Sequence, residues 1–374
     1  MVMLDLQKAF DTVNHSILID KLKALGFDKT SVSWMRSYLE GREQVVEVNG
    51  TLSSPLPVNC GVPQGSILGP LLFLIYVNDM TSACDCNLFL FADDSALLVP
   101  GKDWKQVENS LSSELSKVCT WLSDNKLSIH LGKTESILFG SNFNLNKVDS
   151  FTIKVGDSEI TRKNEITYLG CILEANLSSD KMTSKTIKKI SQRTRFLYRI
   201  APLVNKNTLK TLTRALIQPF FDYGVHVWYR SASKALKTRL QTAQNKLVRL
   251  QLSLPSRAHL DHSHFISLGW LTVADRVQHL ALGLVFKIHN TTMIPKYLTD
   301  YFLKVKDRHN YNTRGSSTDH VQPRHGSNKG LNSFSCYATN MWNALPKALK
   351  ECKSLPSFKT ALKSHLQAVT SRNW

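Results

Sequence analysis

Short apolar runs separated by turn residues fill the first 175 positions, and longer helical spacings take over afterwards. Val2 to Leu6 has strand length. After Asp11, the positions Val13, Ile17, Leu18, Leu22 and Leu25 recur at helical spacing up to Gly26, so the chain opens strand, turn, helix, with Asp11 as the expected helix cap. Val45, Val46 and Val48, then Asn49-Gly50, then Leu52 and Leu56 predict a hairpin, because Asn-Gly tolerates the positive φ angles of a tight turn. Gly61 to Gly69 reads as a loop feeding the apolar stretch Leu71 to Val77, which reads as a buried helix. Asn87 to Val99 consists of two apolar runs flanking Asp93-Asp94, the pattern of a buried hairpin with carboxylates at its tip.

Trp104 to Trp121 returns to helical spacing, and KLSIHLGKTESILFG supplies two short strand candidates around Gly132-Lys133. Two more strands are expected at Phe151 to Val155 and Thr167 to Leu173. The resulting order describes an α+β layer. Beyond Asn176 the chain turns basic and helix-rich, with Phe220, Phe221, Tyr223, Trp228 and Tyr229 interleaved. Lys304 to Leu331, rich in Asn, Ser, Gly, His and Arg, reads as a flexible basic linker before a last helical section from Tyr337 to Leu366.

Composition narrows the function classes. With 42% hydrophobic and 20% charged residues over 374 positions, the chain has the makings of a folded protein. The 47 Lys and Arg exceed the 29 Asp and Glu, giving a formal charge of +18 and making nucleic acid the first partner to consider. Seven scattered cysteines, an odd number, argue against a disulfide framework and for a reducing, intracellular setting. Cys84-Asp85-Cys86 reads as a loop with two ordinary thiols, and His259, His262 and His264 as a solvated loop. The start MVMLDLQKAF lacks the layout of a secretory signal, and Leu71 to Val77 falls well short of the roughly 20 residues that span a bilayer, so no membrane role is expected.

Chemistry is suggested by Asp5 at the end of an apolar strand and by Asp93 and Asp94 at a hairpin tip. Sheet folds bring such positions to one edge, where clustered carboxylates repel and are relieved by a hard cation with a preference for oxygen ligands. Taken alone, the same residues also describe an ordinary solvated turn.

Three longer strings carry a family resemblance. LDLQKAFDTVNH at Leu4 to His15, GVPQGSILGPLLFLIYVNDM at Gly61 to Met80 and FADDSALLV at Phe91 to Val99 resemble motifs A, B and C of reverse transcriptases. NKLSIHLGKTESILFG at Asn125 to Gly140 and YLGCIL at Tyr168 to Leu173 are similar to motifs D and E, in the same order. FADD, SILGP and the basic tail look like non-LTR, LINE-type retrotransposons of the jockey and CR1 branch. The resemblance implies an RNA-directed DNA polymerase with a palm of antiparallel sheet and helices on one face, followed by a helical thumb. It also implies two Mg²⁺ ions, with Mn²⁺ as a substitute, and an RNA template, a DNA primer and dNTPs as partners. Asp5 and Asp93 would bind the ions, with Asp94 beside the primer terminus. Phe10 would sit under the sugar of the incoming nucleotide, and Gln64 and Gly65 would contact that nucleotide. Lys133 would protonate or neutralise the departing pyrophosphate, and Tyr168, Leu169 and Gly170 would form the primer grip.

The resemblance implies a division into palm (1–175), basic thumb (176–260) and basic helical C-terminal region (261–374, with the linker near 304–331). Because only Met1 to Leu4 precede Asp5, a copy truncated before motif A, without fingers, is expected, with an apolar flank left exposed. Two other readings stay open: a nucleic-acid-binding remnant without catalysis, and a non-functional translated fragment.

Overall fold

The computed structural model describes residues 1–291, 294–308 and 318–371. They form two compact units, Met1–Ile166 and Thr167–Trp374.

The first unit is mixed. Its strands are β1 (Val2–Asp5), β2 (Glu43–Gln44), β3 (Glu47–Val48), β4 (Thr51–Leu52), β5 (Leu56–Pro57), β6 (Asn87–Phe91), β7 (Asp94–Leu98), β8 (Glu135–Ser136), β9 (Ile153–Val155) and β10 (Ser158–Arg162). Its helices are α1 (His15–Ala24), α2 (Lys29–Leu39), α3 (Leu68–Val77), α4 (Trp104–Asp124) and the short α5 (Asn142–Leu145). Six strands make one sheet in the order β6-β7-β1-β8-β10-β9. All its pairs are antiparallel except β8 with β10, so the sheet is mixed rather than purely antiparallel as expected. The residue pattern of β10 was legible neither as strand nor as partner, because a two-residue neighbour such as β8 offers no period to read.

Alternation explains the sheet's seating. Val2 and Leu4 of β1 and Leu97 of β7 are buried together with Leu18, Ile19 and Leu22 of α1, Leu72, Phe73 and Tyr76 of α3, and Leu111, Leu115, Val118 and Leu122 of α4. Each of these helical sets recurs at three- and four-residue spacing, which puts it on one face. The apolar stretch around α3 is not buried all round: Ile67, Leu71 and Leu74 are exposed on its other side. A uniformly apolar helix carries no stripe, so its buried side is chosen by its neighbours. The Asn49-Gly50 hairpin forms as expected between β3 and β4, with φ of 51° and 80° at its two turn residues. Around Lys133 one strand, β8, forms rather than two.

The second unit opens on strands β11 (Glu165–Tyr168, which begins just before it) and β12 (Cys171–Glu174), a hairpin where one strand was expected. Helices follow: α6 (Asp180–Ile200), α7 (Lys206–Leu216), α8 (Gln218–Asp222), α9 (Val225–Trp228), α10 (Lys234–Gln251), α11 (His262–Leu268), α12 (Val273–Asn290), α13 (Lys296–Asp300), α14 (Val305–Arg308), α15 (Asn328–Leu331), α16 (Phe334–Asn343), α17 (Lys347–Lys350) and α18 (Leu355–Ser371). α6 and α10 share one core with Val273 and Val277 of α12, and the other side of α12 packs with Tyr337, Trp342, Phe358 and Leu362. The histidine cluster is not a solvated loop. His262 is buried at the start of α11, and His264 closes a capping box with Asp261; His259 alone is exposed. Part of the expected linker, 309–317, lies outside the described residues. Its flanks are held: Lys304 bridges His320, and Asn343 bonds both backbone groups of His320 at 2.8 and 2.9 Å. Among the described residues no helix is long and apolar enough to cross a membrane.

Candidate active site

Two strands bring the three acidic residues together. In the β6-β7 hairpin Phe91 pairs with Asp94, which leaves Ala92 and Asp93 as a two-residue turn. Ala92 adopts φ 54°, a left-handed conformation that costs a residue with a Cβ about 1–2 kcal/mol, so the surrounding sheet must hold the turn in place. Strand β1 lies on the other side of β7, in a register that sets Asp5 directly opposite Asp94. Residues opposite each other on antiparallel strands point to the same face. Asp5 and Asp94 therefore share one end of the sheet, and Asp93 sits next to them in an exposed turn.

Electrostatics registers the crowding. The carboxyl of Asp94 is pushed above its usual range, first by partial burial, then by the negative charges of Asp93 and Asp5. The three side chains are not drawn into a tight ligand shell, because mutual repulsion favours separation; among the described residues the group gathered within 4.8 Å is a different one, Cys84, Cys86 and Glu114. Oxygen donors on a raised negative potential fit a hard divalent cation. One consequence is measurable. Asp94→Asn removes the repelled charge and is expected to stabilise the chain in EDTA by up to ~0.5 kcal/mol after solvent screening, with Mg²⁺ then stabilising the unaltered chain more than the variant. Urea unfolding with and without Mg²⁺ checks this, and a variant less stable in EDTA would contradict it.

Lys133 arrives from a separate turn that is hydrogen-bonded to β1. His130 N–H donates to the carbonyl of Asp5 at 2.7 Å, the N–H of Asp5 meets Thr134 Oγ1 at 3.4 Å, and the amides of Lys133 and Thr134 both return to His130 O. This strap sets Lys133 Nζ 3.9 Å from Asp5 Oδ2, with the two side chains 65% and 39% exposed. So exposed a pair contributes at most ~1 kcal/mol to stability. Its value is positional: an ammonium held beside the Asp5 carboxylate.

Phe10 is half-buried, its ring 4.6 Å from that of Phe73, so it packs on the core while one side remains accessible. The loop from Gly61 is bound to the turn after β1: Val62 N–H donates to Phe10 O at 2.8 Å, Gly61 N–H to Val13 O at 2.7 Å, and His15 Nε2 lies 2.7 Å from Gly61 O. Gly61, at φ 88°, is required there, since a Cβ would fall 2.8–3.0 Å from the Asp11 backbone. Asp11 does not cap α1. Asn14 does, accepting from Ile17 N–H, while Asp11 Oδ1 accepts from Gln64 Nε2 at 2.7 Å. Gln64 and Gly65 are exposed, and Gly65 stands at φ 80° with open space where a side chain would be. Sequence reading placed Gly61 in this loop but missed its close approach to Asp11 and the bond between Asp11 and Gln64, although the place of these residues inside the quoted strings was a signal.

The turn Tyr168-Leu169-Gly170 belongs to the second unit, where Leu169 and Gly170 adopt φ of 45° and 76° between β11 and β12. The Tyr223 hydroxyl donates to Leu169 O, and its ring lies 3.4 Å from where a Gly170 Cβ would stand. Tyr223 is thus a support that spacing alone could not find. Gly170→Ala is expected to cost about 1–2 kcal/mol because of its positive φ, whereas Gly326→Ala, in open space, should be nearly neutral; thermal unfolding of the two variants compares them directly.

In the same unit, Lys185, Lys188, Lys189, Arg193, Arg195 and Arg199 all project from α6 into solvent. Arg193 lies 4.6 Å and Lys189 5.6 Å from the centre of the Phe220 ring. This is a phosphate-attracting surface with an aromatic set into it.

Comparison with known proteins adds the following. Residues 1–173 match the family model described as reverse transcriptase (RNA-dependent DNA polymerase). The chain is 29% identical over 270 residues to the probable RNA-directed DNA polymerase from transposon BS of Drosophila melanogaster, covering 68% of this chain and 29% of that protein. It is 28% identical over 259 residues to the RNA-directed DNA polymerase from mobile element jockey of the same species, covering 66% and 27%. A telomerase from Candida albicans, solved with a TWJ fragment of telomeric RNA, is similar at 12% identity and a TM-score of 0.34, over 75% of this chain and 48% of that one. The chain spans less than a third of the length of the transposon polymerases it matches (29% and 27%).

Proposed function

We propose that this chain belongs through residues 1–173 to the reverse transcriptase family of non-LTR, LINE-type elements, and that it carries the nucleotidyl-transfer centre of an RNA-directed DNA polymerase. The observation that carries this reading is the cross-strand pairing of Asp5 with Asp94 beside the Asp93 turn. Residues 1–175 act as palm, 176–260 as basic thumb and 261–374 as a basic helical C-terminal region.

Asp5, Asp93 and Asp94 would hold two Mg²⁺ ions, or Mn²⁺ in their place, whose chemistry when bound is to activate the primer hydroxyl and offset charge on the phosphates. Lys133, beside Asp5, donates a proton to the departing pyrophosphate or neutralises it. Phe10, backed by Phe73, presents its accessible side to the sugar of the dNTP and excludes a 2′-hydroxyl by contact. Gln64 and Gly65 lie against the same nucleotide on a loop held by Asp11 and Gly61, and the absence of a side chain at Gly65 lets the backbone approach closely. Tyr168, Leu169 and Gly170 grip the primer end, with Tyr223 behind them. The basic face of α6 holds the RNA template and DNA primer by their phosphates, without regard to sequence. An active form would work on chromosomal DNA, in the nucleus.

Primer extension tests the reading. Expected is Mg²⁺-dependent dNTP incorporation on a primed RNA template, by the chain alone or with an upstream segment supplied in trans, and template binding that weakens steeply with salt. Salt-sensitive binding with no incorporation under either condition would replace the polymerase by a binding remnant.

A further inference from the structure

Cys84, Asp85 and Cys86 lie in the loop that leads into β6, at the end of the hairpin away from Asp93. Read in sequence they are two ordinary thiols. The fold adds a third donor, Glu114 of α4, and the ligand atoms of Cys84, Cys86 and Glu114 all lie within 4.8 Å of one another. We propose that these three residues form a binding site for a soft divalent cation of the zinc class, which ties the base of the carboxylate-bearing hairpin to α4.

Three observations support it. The two sulfurs are 3.7 Å apart. Two metal–thiolate bonds of about 2.3 Å at a tetrahedral angle place sulfurs about 3.8 Å apart, whereas a disulfide needs about 2.05 Å. Second, the carboxylate of Glu114 is already oriented: its Oε2 accepts the Asp85 N–H at 2.7 Å and its Oε1 accepts from Lys117 Nζ at 2.7 Å. Outer partners of this kind hold a ligand in place at many metal sites. Third, the charges suit a dication. Two thiolates and Glu114 with a dication carry a net charge of −1, which Lys117 offsets, although its bridge to Asp85 at 2.6 Å shares that ammonium. Cys84 is buried and the Glu114 side chain is 13% exposed, so the donors are partly shielded from water, and a water completes four-coordination.

The hairpin gives the site a purpose. Among the described residues β6 is an edge strand of the sheet with β7 as its one strand neighbour, while Asp93 depends on the turn at the far end. Pinning the loop before β6 to α4 limits fraying of that edge. The inference is independent of the polymerase reading, because its readouts are metal content and stability.

The test titrates the full, reduced chain with Co²⁺ as a spectroscopic probe and then with Zn²⁺. Expected are one ion per chain with sulfur-to-metal charge-transfer absorption, loss of that absorption in Cys86→Ser, at least ten-fold weaker binding in Glu114→Gln, and a rise in Tm with Zn²⁺ in the unaltered chain alone. Should Cys86→Ser fail to fold, protection of Cys84 and Cys86 from alkylation by Zn²⁺ in the unaltered chain, mapped by peptide mass, takes its place. Absence of charge-transfer absorption, or absorption that survives in the Cys84→Ser/Cys86→Ser double variant, would overturn the site. So would a Cys84–Cys86 disulfide that forms in air equally fast with and without Zn²⁺.

Discussion

Asp93→Asn is expected to reduce dNTP incorporation on a primed RNA template by at least ~10³-fold, a loss of about 4 kcal/mol in transition-state stabilisation. Asp93 occupies the two-residue turn of the β6-β7 hairpin and is exposed. Asparagine is at home in tight turns, so the substitution removes a charge and leaves the backbone intact. The loss should therefore appear in the chemical step while the unfolding transition and the affinity for template stay within two-fold of the unaltered chain. The phosphate contacts proposed for α6 use residues other than those of this turn. Single-turnover primer extension, paired with a binding titration, separates the two effects. A variant that keeps more than a tenth of the activity would remove Asp93 from the centre and leave the pairing of Asp5 with Asp94 without its functional meaning.

Lowering the pH from 7 to 4 is expected to destabilise the second unit by up to ~6 kcal/mol, about 3 kcal/mol from each ring of one buried imidazole pair. His289 and His320 stand with ring centres 4.5 Å apart, and His320 stacks on Trp342 at 5.3 Å. His320 is 1% exposed, and among the described residues neither of its ring nitrogens nor His289 Nε2 has a hydrogen-bond partner. Burial therefore pushes His320 down to about 3, aided by His289, Lys304 and Lys350, and pushes His289 down to about 4, aided by Lys304. In the unfolded chain both titrate near the ordinary value of about 6.5. Between about 6.5 and 4 the unfolded state thus binds protons that the folded state refuses. Stability from this pair is complete above 6.5 and is lost as pH falls through that window. His320→Phe keeps a ring on Trp342, and Asn343 still holds the backbone at position 320, so the variant should unfold with a flatter pH dependence. Urea unfolding from pH 7 to 4.5, followed by tryptophan fluorescence, reports the difference. Equal slopes in the two chains would show that the pair does not govern acid stability.

Legibility differed by feature. The hairpin at Asn49-Gly50 and the one carrying Asp93 were both readable, since each is set by a turn and its immediate flanks. The helix at α3 was readable as a helix and misread as buried, because nothing in an unbroken apolar stretch says which side meets the core. Asp11 was misread as a cap: Asn14 lies closer to the first turn of α1, and Gln64 claims the carboxylate from another loop. His262 and His264 looked like loop residues because a capping box and a buried ring differ from solvated histidines only in their surroundings.

By itself the sequence determined the order of the five motifs, the placing of Asp5 at a strand end and of Asp93 and Asp94 at a hairpin tip, and the change to a basic helical half. These follow from period and turn chemistry, which act over a few residues and need no partner segment. Tertiary structure alone decided that Asp5 faces Asp94, that Lys133 hangs beside Asp5, that Tyr223 supports the Leu169-Gly170 turn and that Glu114 joins Cys84 and Cys86. Each of these unites residues from separate segments, and which segments meet is settled by strand register and by how the helices bury their apolar faces, quantities that belong to the packed chain as a whole.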